Sequence, residues 1–389
     1  MVVRASSANP QILRWARVRA GLTIEAASKA IGRESDVLES WELGTSSPTY
    51  RQLADLAQRV YHRPIAVFFF PTPPDEEQIS SEFRTLPAAD REALEPDTLF
   101  ALREARAWQL SAPDVLAGAD VKVSRGTVSD LRARAGESAD ALAVRIRALL
   151  DISIAEQSRW RSPDEALKAW RAAIEEFGVL VFKRPFKQAG VSGFCLDDPL
   201  YPIVVLNNST SHTRQIFTLF HELGHLAFGV SGVTTRDEDL ASLGPSDRRV
   251  EIACNRFAAS ALLPLGSIDL ARIVRDGLEV SISRISKAFQ VSREVVLRRL
   301  RDSDLVSSSE YAAFVQAWRD DYLRKEEKSS GGTYYANVGT YLSERYARAV
   351  LFQYHSGRLG IGEAAEHLRM KAQNVDRFES FLLARGVAE

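Results

Sequence analysis

The run Phe217-Thr218-Leu219-Phe220-His221-Glu222-Leu223-Gly224-His225-Leu226 holds the residue types best suited to do chemistry. On a helix, residues four apart share a face, so His221 and His225 can offer their imidazole nitrogens to one divalent metal ion. Glu222 follows the first histidine, beside that metal, where a carboxylate can take a proton from a zinc-bound water. Ile216, Leu219, Phe220, Leu223 and Leu226 bring enough apolar surface to bury the helix, and buried polar side chains need partners. A zinc ion, Zn2+, satisfies two histidines and leaves a reactive position. The bland alternative is a chance match among the six histidines of the chain. A closed structural zinc would usually take four Cys or His ligands, and the only cysteines are Cys195 and Cys254.

A tetrahedral catalytic zinc takes three protein ligands and keeps its fourth position for water. The candidate third ligand is Glu251, which lies after His225 in the segment running from Val250 to Pro264. Val250, Cys254, Phe257, Ala258 and Ala261 recur at helical spacing and predict a second buried helix, which Pro264 ends. Glu251 and Asn255 are i, i+4 neighbours on it, so Glu251 can bind the metal while Asn255 orients a ligand histidine. A solvated helix residue is the competing reading of Glu251. Asp237, Glu238 and Asp239 are nearer in sequence but follow Gly232 in a polar run, and they read as surface.

Phe-Thr-Leu-Phe-His-Glu-Leu-Gly-His, together with Glu-x-x-x-Asn-x-Phe-Ala-Ala-x-x-Leu-Leu-Pro, resembles the ImmA/IrrE-type zinc metallopeptidases. Upstream, Val191-Ser192-Gly193-Phe194 and Ile203-Val204-Val205-Leu206-Asn207 extend the likeness, which covers roughly residues 160 to 300. The resemblance implies that His221, His225 and Glu251 hold zinc and that Glu222 is the catalytic base. It further implies a protein substrate, a repressor-like DNA-binding partner or antitoxin.

Several elements must position these residues. Ser162-Pro163-Asp164-Glu165 is a capping box with proline at the first helical position, opening a helix that ends at Gly178. Val179 to Phe182, Gly193 to Leu196 and Pro202 to Leu206 then read as short strands of a small sheet packed on the metal helices. If an edge of that sheet faces the cleft, a substrate could add a strand there; a sheet that only buries the helix is the alternative.

Two further segments bear on nucleic acid. Residues 1–62 predict a helical unit: a capped helix and glycine turn over Thr23 to Gly32, another helix over Ser35 to Trp41, and an amphipathic one marked by Leu53, Leu56, Ala57 and Val60. Gly21-Leu22-Thr23 and Trp41-Glu42-x-Gly44 resemble the helix-turn-helix domain of Xre-type repressors, which implies a recognition helix beginning near Ser35. That helix offers Glu34, Asp36, Glu39 and Glu42 against Arg33, whereas base and phosphate contacts call for Arg, Lys, Asn or Gln. A domain serving protein contacts is the alternative. Ser283 to Arg301 has the opposite balance, six basic residues against one acidic, with Val291-Ser292 as a turn between two helices. Arg284, Lys287, Arg293, Arg298 and Arg299 are its candidate phosphate contacts. The alternative is a helical pair closing the metal domain, with a solvated basic face.

The remainder bounds the answer. A chain of 389 residues fits several domains, and a net charge of -1 predicts no overall affinity for polyanions. Nothing at the N-terminus resembles a signal peptide, the run Ile65 to Phe70 is far too short to cross a bilayer, and two cysteines make no disulfide framework, so a cytoplasmic protein without a membrane partner is expected. The expected fold is mainly α and multi-domain: an Xre-like unit over 1–70, a linker over 71–96 with a Pro71-Thr72-Pro73-Pro74 spacer, and a helical connector over 97–157. An α+β zincin-like domain with the small sheet follows over 158–270, then the basic helix pair over 271–322. After the flexible stretch from Lys325 to Gly332 come C-terminal helices over 333–389. The expected function is zinc-dependent hydrolysis of a regulatory protein. Alternatives are a DNA-binding regulator with a vestigial or sensory metal site, and a scaffold acting through its helices.

Overall fold

The structure is a computed structural model that describes residues 8–75, 94–119, 126–186, 188, 191–234, 243–323 and 341–386. The segment Ser81 to Pro87, most of the expected linker, the acidic run Asp237 to Asp239 and the stretch Lys325 to Gly332 lie outside the described residues. The chain divides into two compact units, one comprising Met1–Glu82, Ala88–Glu104 and Phe186–Gln188, the other Phe83–Pro87, Ala105–Pro185 and Ala189–Glu389.

The first unit begins with four short helices: α1 (Pro10–Arg19), α2 (Ile24–Ala30), α3 (Ser35–Glu42) and α4 (Tyr50–Asp55), the last running on into a wider turn over Leu56–Val60. Each start is legible. Asn9 accepts from Gln11 N with Pro10 at the first position, Thr23 accepts from Ala26 N, and Thr49 with Gln52 makes a capping box. Ile12, Leu13, Ala16, Leu38, Trp41, Leu53, Leu56 and Tyr61 form the core. Glu42 is spent inside the unit: Arg17 Nε and Nη2 reach its two carboxylate oxygens at 2.7 and 2.9 Å.

Helix α5 (Pro96–Leu116) is assigned to the first unit up to Glu104 and to the second from Ala105. The second unit continues with α6 (Ala139–Leu150), the single turn α7 (Ile154–Gln157) and α8 (Pro163–Glu175), which Ser162 caps by accepting from Glu165 N. Strands β1 (Leu180–Arg184), β2 (Gly193–Leu196), β3 (Ile203–Asn207) and β4 (Gly232–Thr234) form one sheet in the order β1-β3-β2-β4. β1 and β3 are parallel, while β2 is antiparallel to both β3 and β4. β4 falls where a polar surface run was expected; three residues without an apolar repeat give no strand signal.

Helices α9 (His212–Ala227) and α10 (Pro245–Leu262) carry the candidate site, followed by α11 (Leu270–Asp276), α12 (Leu278–Phe289), α13 (Arg293–Arg301) and α14 (Ser308–Leu323). The C-terminal helices are α15 (Glu344–His355), α16 (Ile361–His367) and α17 (Val375–Gly386). Alternation along the strands divides the sheet's packing. Val181, Cys195, Val204 and Leu206 join the core made with α8, α9, α10 and α6. Phe182, on the opposite face of β1, stacks on Trp108 of α5 with ring centres 4.0 Å apart and meets Tyr346 of α15 edge-on. From Ala105 on, the rest of the connector falls in the second contact unit together with the metal helices, the basic helix pair and the C-terminal helices. Among the described residues no single helix is long and apolar enough to cross a membrane; a bent pair, Pro245–Ser267 with Leu270–Asp276, passes only when taken together, and its first half carries the buried Glu251.

Gly193 fixes how closely the sheet meets α9. A Cβ there would lie 2.5 Å from Thr218 Cγ2 and 2.8 Å from the Val205 carbonyl oxygen, and that carbonyl belongs to the adjoining strand and cannot yield. Gly193→Ala is therefore expected to destabilise the second unit by about 3 kcal/mol, at the upper end for overpacking a core, as read from the denaturant midpoint. A midpoint equal to that of the parent would mean that the sheet is not seated on α9 in this way.

Candidate metal centre

Ser211 starts α9 by accepting from Arg214 N, and the sequence then places every residue from Thr218 to Ala227 in the interior. The C-terminal end of this helix is also held: Arg132 Nη1 donates to the Leu226 carbonyl and Ala133 N donates to Ala227 O at 2.8 Å. Helix α10 packs alongside. A Cβ at Gly224 would stand 3.1 Å from Phe257 Cδ1 and 3.2 Å from Cys254 Cα, so the missing side chain is what lets the two helices come close enough for Glu251 to reach the histidines. The far end of α10 is tied by Arg147 Nη1 to Ala261 O at 2.8 Å, Gln157 Nε2 to Leu262 O at 3.0 Å and Arg299 Nε to Leu263 O at 3.0 Å.

Within this frame His221, His225 and Glu251 converge, and they form a cluster that could hold a metal ion among the described residues. The Nε2 atoms of the two histidines are 3.0 Å apart, His221 Nε2 lies 3.2 Å from Glu251 Oε2, and His225 Nε2 lies 3.1 Å from Glu251 Oε1. Tetrahedral ligands about 2.0 Å from a zinc ion stand about 3.3 Å from one another, so the three donors already have nearly the spacing a cation demands. His221 Nδ1–H donates to Asn255 Oδ1 at 3.0 Å, which turns the Nε2 lone pair toward the cluster. His225 Nδ1 is buried and makes no hydrogen bond among the described residues.

The electrostatics favour a cation. Burial opposes protonation of His221, but the Glu251 carboxylate outweighs it through its hydrogen bond and charge, raising the imidazole above its ordinary range. Burial likewise favours the neutral form of Glu251, and the charges and hydrogen bonds of His225 and His221 overcome it, holding the carboxyl at about 2. A buried carboxylate facing two imidazole nitrogens attracts positive charge, which a metal ion supplies. Cys254 does not compete as a thiolate: burial, then the charges of Glu251 and Glu222, push its thiol well above the usual range. Glu222 is fully buried beside this cluster and is not one of its three donors.

Asn255 gives a test of the arrangement. Asn255→Ala is expected to weaken metal binding ten- to a hundredfold without abolishing it, as second ligand-shell losses generally do, in competition against a chelator. Unchanged affinity would mean that the 3.0 Å contact does not orient His221.

The candidate phosphate contacts fall elsewhere, and so does His212, which precedes His221 on the same helix. His212 begins α9, nine residues and so about 14 Å along the axis from His221. Arg33 is exposed just ahead of α3, among the exposed acids Glu34, Asp36 and Glu39. Arg293 and Lys287 are exposed and Arg284 is partly so. Arg298 and Arg299 correct the sequence reading, which set them as phosphate contacts. They are 6 % and 4 % exposed, because α13 is an interior helix. Arg299 caps α10 and pairs with Asp140 at 3.5 Å, while Arg298 pairs with Glu294 at 3.3 Å and lies over the Phe217 ring.

Sequence reasoning also overlooked the spacing role of Gly224. The signal was present, since a glycine inside a helix that contains two metal ligands has either a close-packing or a capping reason.

Residues 174–301 match the family model of the IrrE N-terminal-like domain, Peptidase M78. The match spans the sheet, both helices of the cluster and the pair α12–α13. No curated protein matches the chain.

Proposed function

We propose that the second unit is a zinc-dependent endopeptidase. The observation that carries this reading is the buried cluster of two imidazoles and one carboxylate from two packed helices, at tetrahedral spacing, inside a segment that matches a peptidase family. His221, His225 and Glu251 would hold the metal. A zinc ion bound there supplies Lewis acidity, which makes water more acidic towards about pH 7 and polarises a carbonyl.

The chain's own residues do the rest. Glu222 accepts the proton of the attacking water and returns it to the leaving amine, the role of a positioned general base that becomes the acid. Asn255 fixes the His221 tautomer, and Arg147, Gln157 and Arg299 hold the end of the helix that presents Glu251.

The resemblance to ImmA/IrrE-type enzymes supports a regulatory protein as substrate, of the repressor or antitoxin kind, within the cytoplasm. The first unit would then recruit or restrain, since its exposed α3 face is acidic and suits protein contacts better than phosphate. Incubation of the zinc-loaded protein with a proteome-derived peptide library tests the activity. New internal cleavages that a chelator suppresses support the reading, and none above a metal-free control would overturn it.

A further inference from the structure

Lys183 lies in β1 and is only 1 % exposed. It makes no hydrogen bond or ion pair among the described residues, an unusual state for an amine, since buried charges are nearly always paired. Alternation places it on the face of Val181, and its register partner on β3 is Leu206; both of these pack in the core beneath α8 and α9. Its amine therefore rises where those two helices begin. There it interacts electrostatically with Asp164, Lys168 and Arg171 of α8, and with His212, the first residue of α9. Lys168 Nζ is 2.6 Å from Asp164 Oδ2, His212 Nδ1 is 4.0 Å from Asp164 Oδ1, and these three side chains are 41 to 51 % exposed, so they form a rim over a buried floor.

We propose that Lys183, with His212 and Lys168 at the rim, forms a binding site for a tetrahedral oxyanion of the phosphate class at the neighbouring N-termini of α8 and α9. Both helices are long enough to carry a positive end; Pro163 has no N–H, and Glu165 N and Arg214 N already donate to Ser162 and Ser211, so the helix ends act on the anion mainly through their dipoles. Lys168 and Lys183 supply the positive charge, and His212, which burial and then the charge of Lys183 push below its ordinary value, adds an imidazole N–H; donors from two helices and a strand suit an oxyanion that accepts from several directions, more than a flat carboxylate. Asp164 and Glu165 in the first turn of α8 oppose the anion; Glu165 accepts from Arg161 N, and an anion that binds takes Lys168 from Asp164. Burial, then the charges of Arg171 and Lys168, bring the Lys183 amine down to about 7, against the pull of Asp164. The site thus gains its full charge only below neutral pH.

Calorimetric titration with sulfate, whose charge does not change between pH 6 and 9, tests this at constant ionic strength. Binding to the full chain is expected, with affinity falling about fivefold from pH 7 to pH 8 as the amine, with its value of about 7, loses its proton. Lys183→Met should weaken it at least tenfold, Asp164→Asn should tighten it severalfold, and Lys183→Arg should retain it while removing the pH dependence over that range. Phosphate is expected to compete with sulfate, and acetate is not. His221→Ala should bind sulfate as the parent does, which separates this site from the metal centre. No sulfate binding at tens of millimolar, equal binding by the Met variant, a pH dependence that survives in the Arg variant, or equal competition by acetate would each overturn the assignment.

Discussion

Glu222→Gln is expected to lower peptide hydrolysis by about a hundred- to ten-thousandfold while leaving one zinc ion per chain. The substitution keeps the size and shape of a side chain that is fully buried, so the helix packing has no reason to change. It removes only the ability to accept a proton. The three donors of the cluster come from His221, His225 and Glu251, none of which is altered. Metal analysis and single-turnover cleavage of one library peptide, measured on the same preparation, read both halves of the expectation. Loss of zinc together with activity would assign Glu222 to holding the metal, and unchanged activity would remove it from the chemistry.

The second large effect concerns stability. Three buried donors that face one another at 3.0 to 3.2 Å are held together against their own repulsion unless a cation or proton lies between them. At free zinc a thousand times the dissociation constant, binding to the folded state alone stabilises it by about 4 kcal/mol. For a unit of this size that is a rise in melting temperature of roughly 10 °C. His221→Ala removes one ligand and the Asn255 contact, so its melting temperature should no longer respond to zinc. A zinc-induced shift of the same size in that variant would place the stabilising metal elsewhere in the chain.

Much of the site was legible because its spacing is local. His221 and His225 need only one helical turn, and the apolar residues around Glu251 repeat at helical spacing, so both helices and their relevant faces follow from the sequence. Three strands were equally clear from their short apolar runs. What was not legible depends on which side of an element faces inward. The basic run Ser283 to Arg301 looks like a cationic surface by count, yet α13 is interior and spends Arg298 and Arg299 on Glu294, Asp140 and the end of α10. The connector carried no chemistry by composition, but Arg147 and Gln157 from it cap the helix that presents Glu251. Lys183 is hidden for a related reason: the apolar run ends at Phe182 and suggests that the strand does too, although two-residue alternation from Val181 places a lysine on the core face.

Zinc-edge X-ray absorption of the purified protein shows directly whether one metal ion is gripped by His221, His225 and Glu251 with a position left for solvent. The predicted spectrum has a four-coordinate ion with two imidazole nitrogens and two oxygens near 2.0 Å, of which only one is from the protein. A sulfur in the shell, a third imidazole, or no stoichiometric metal at all would contradict it.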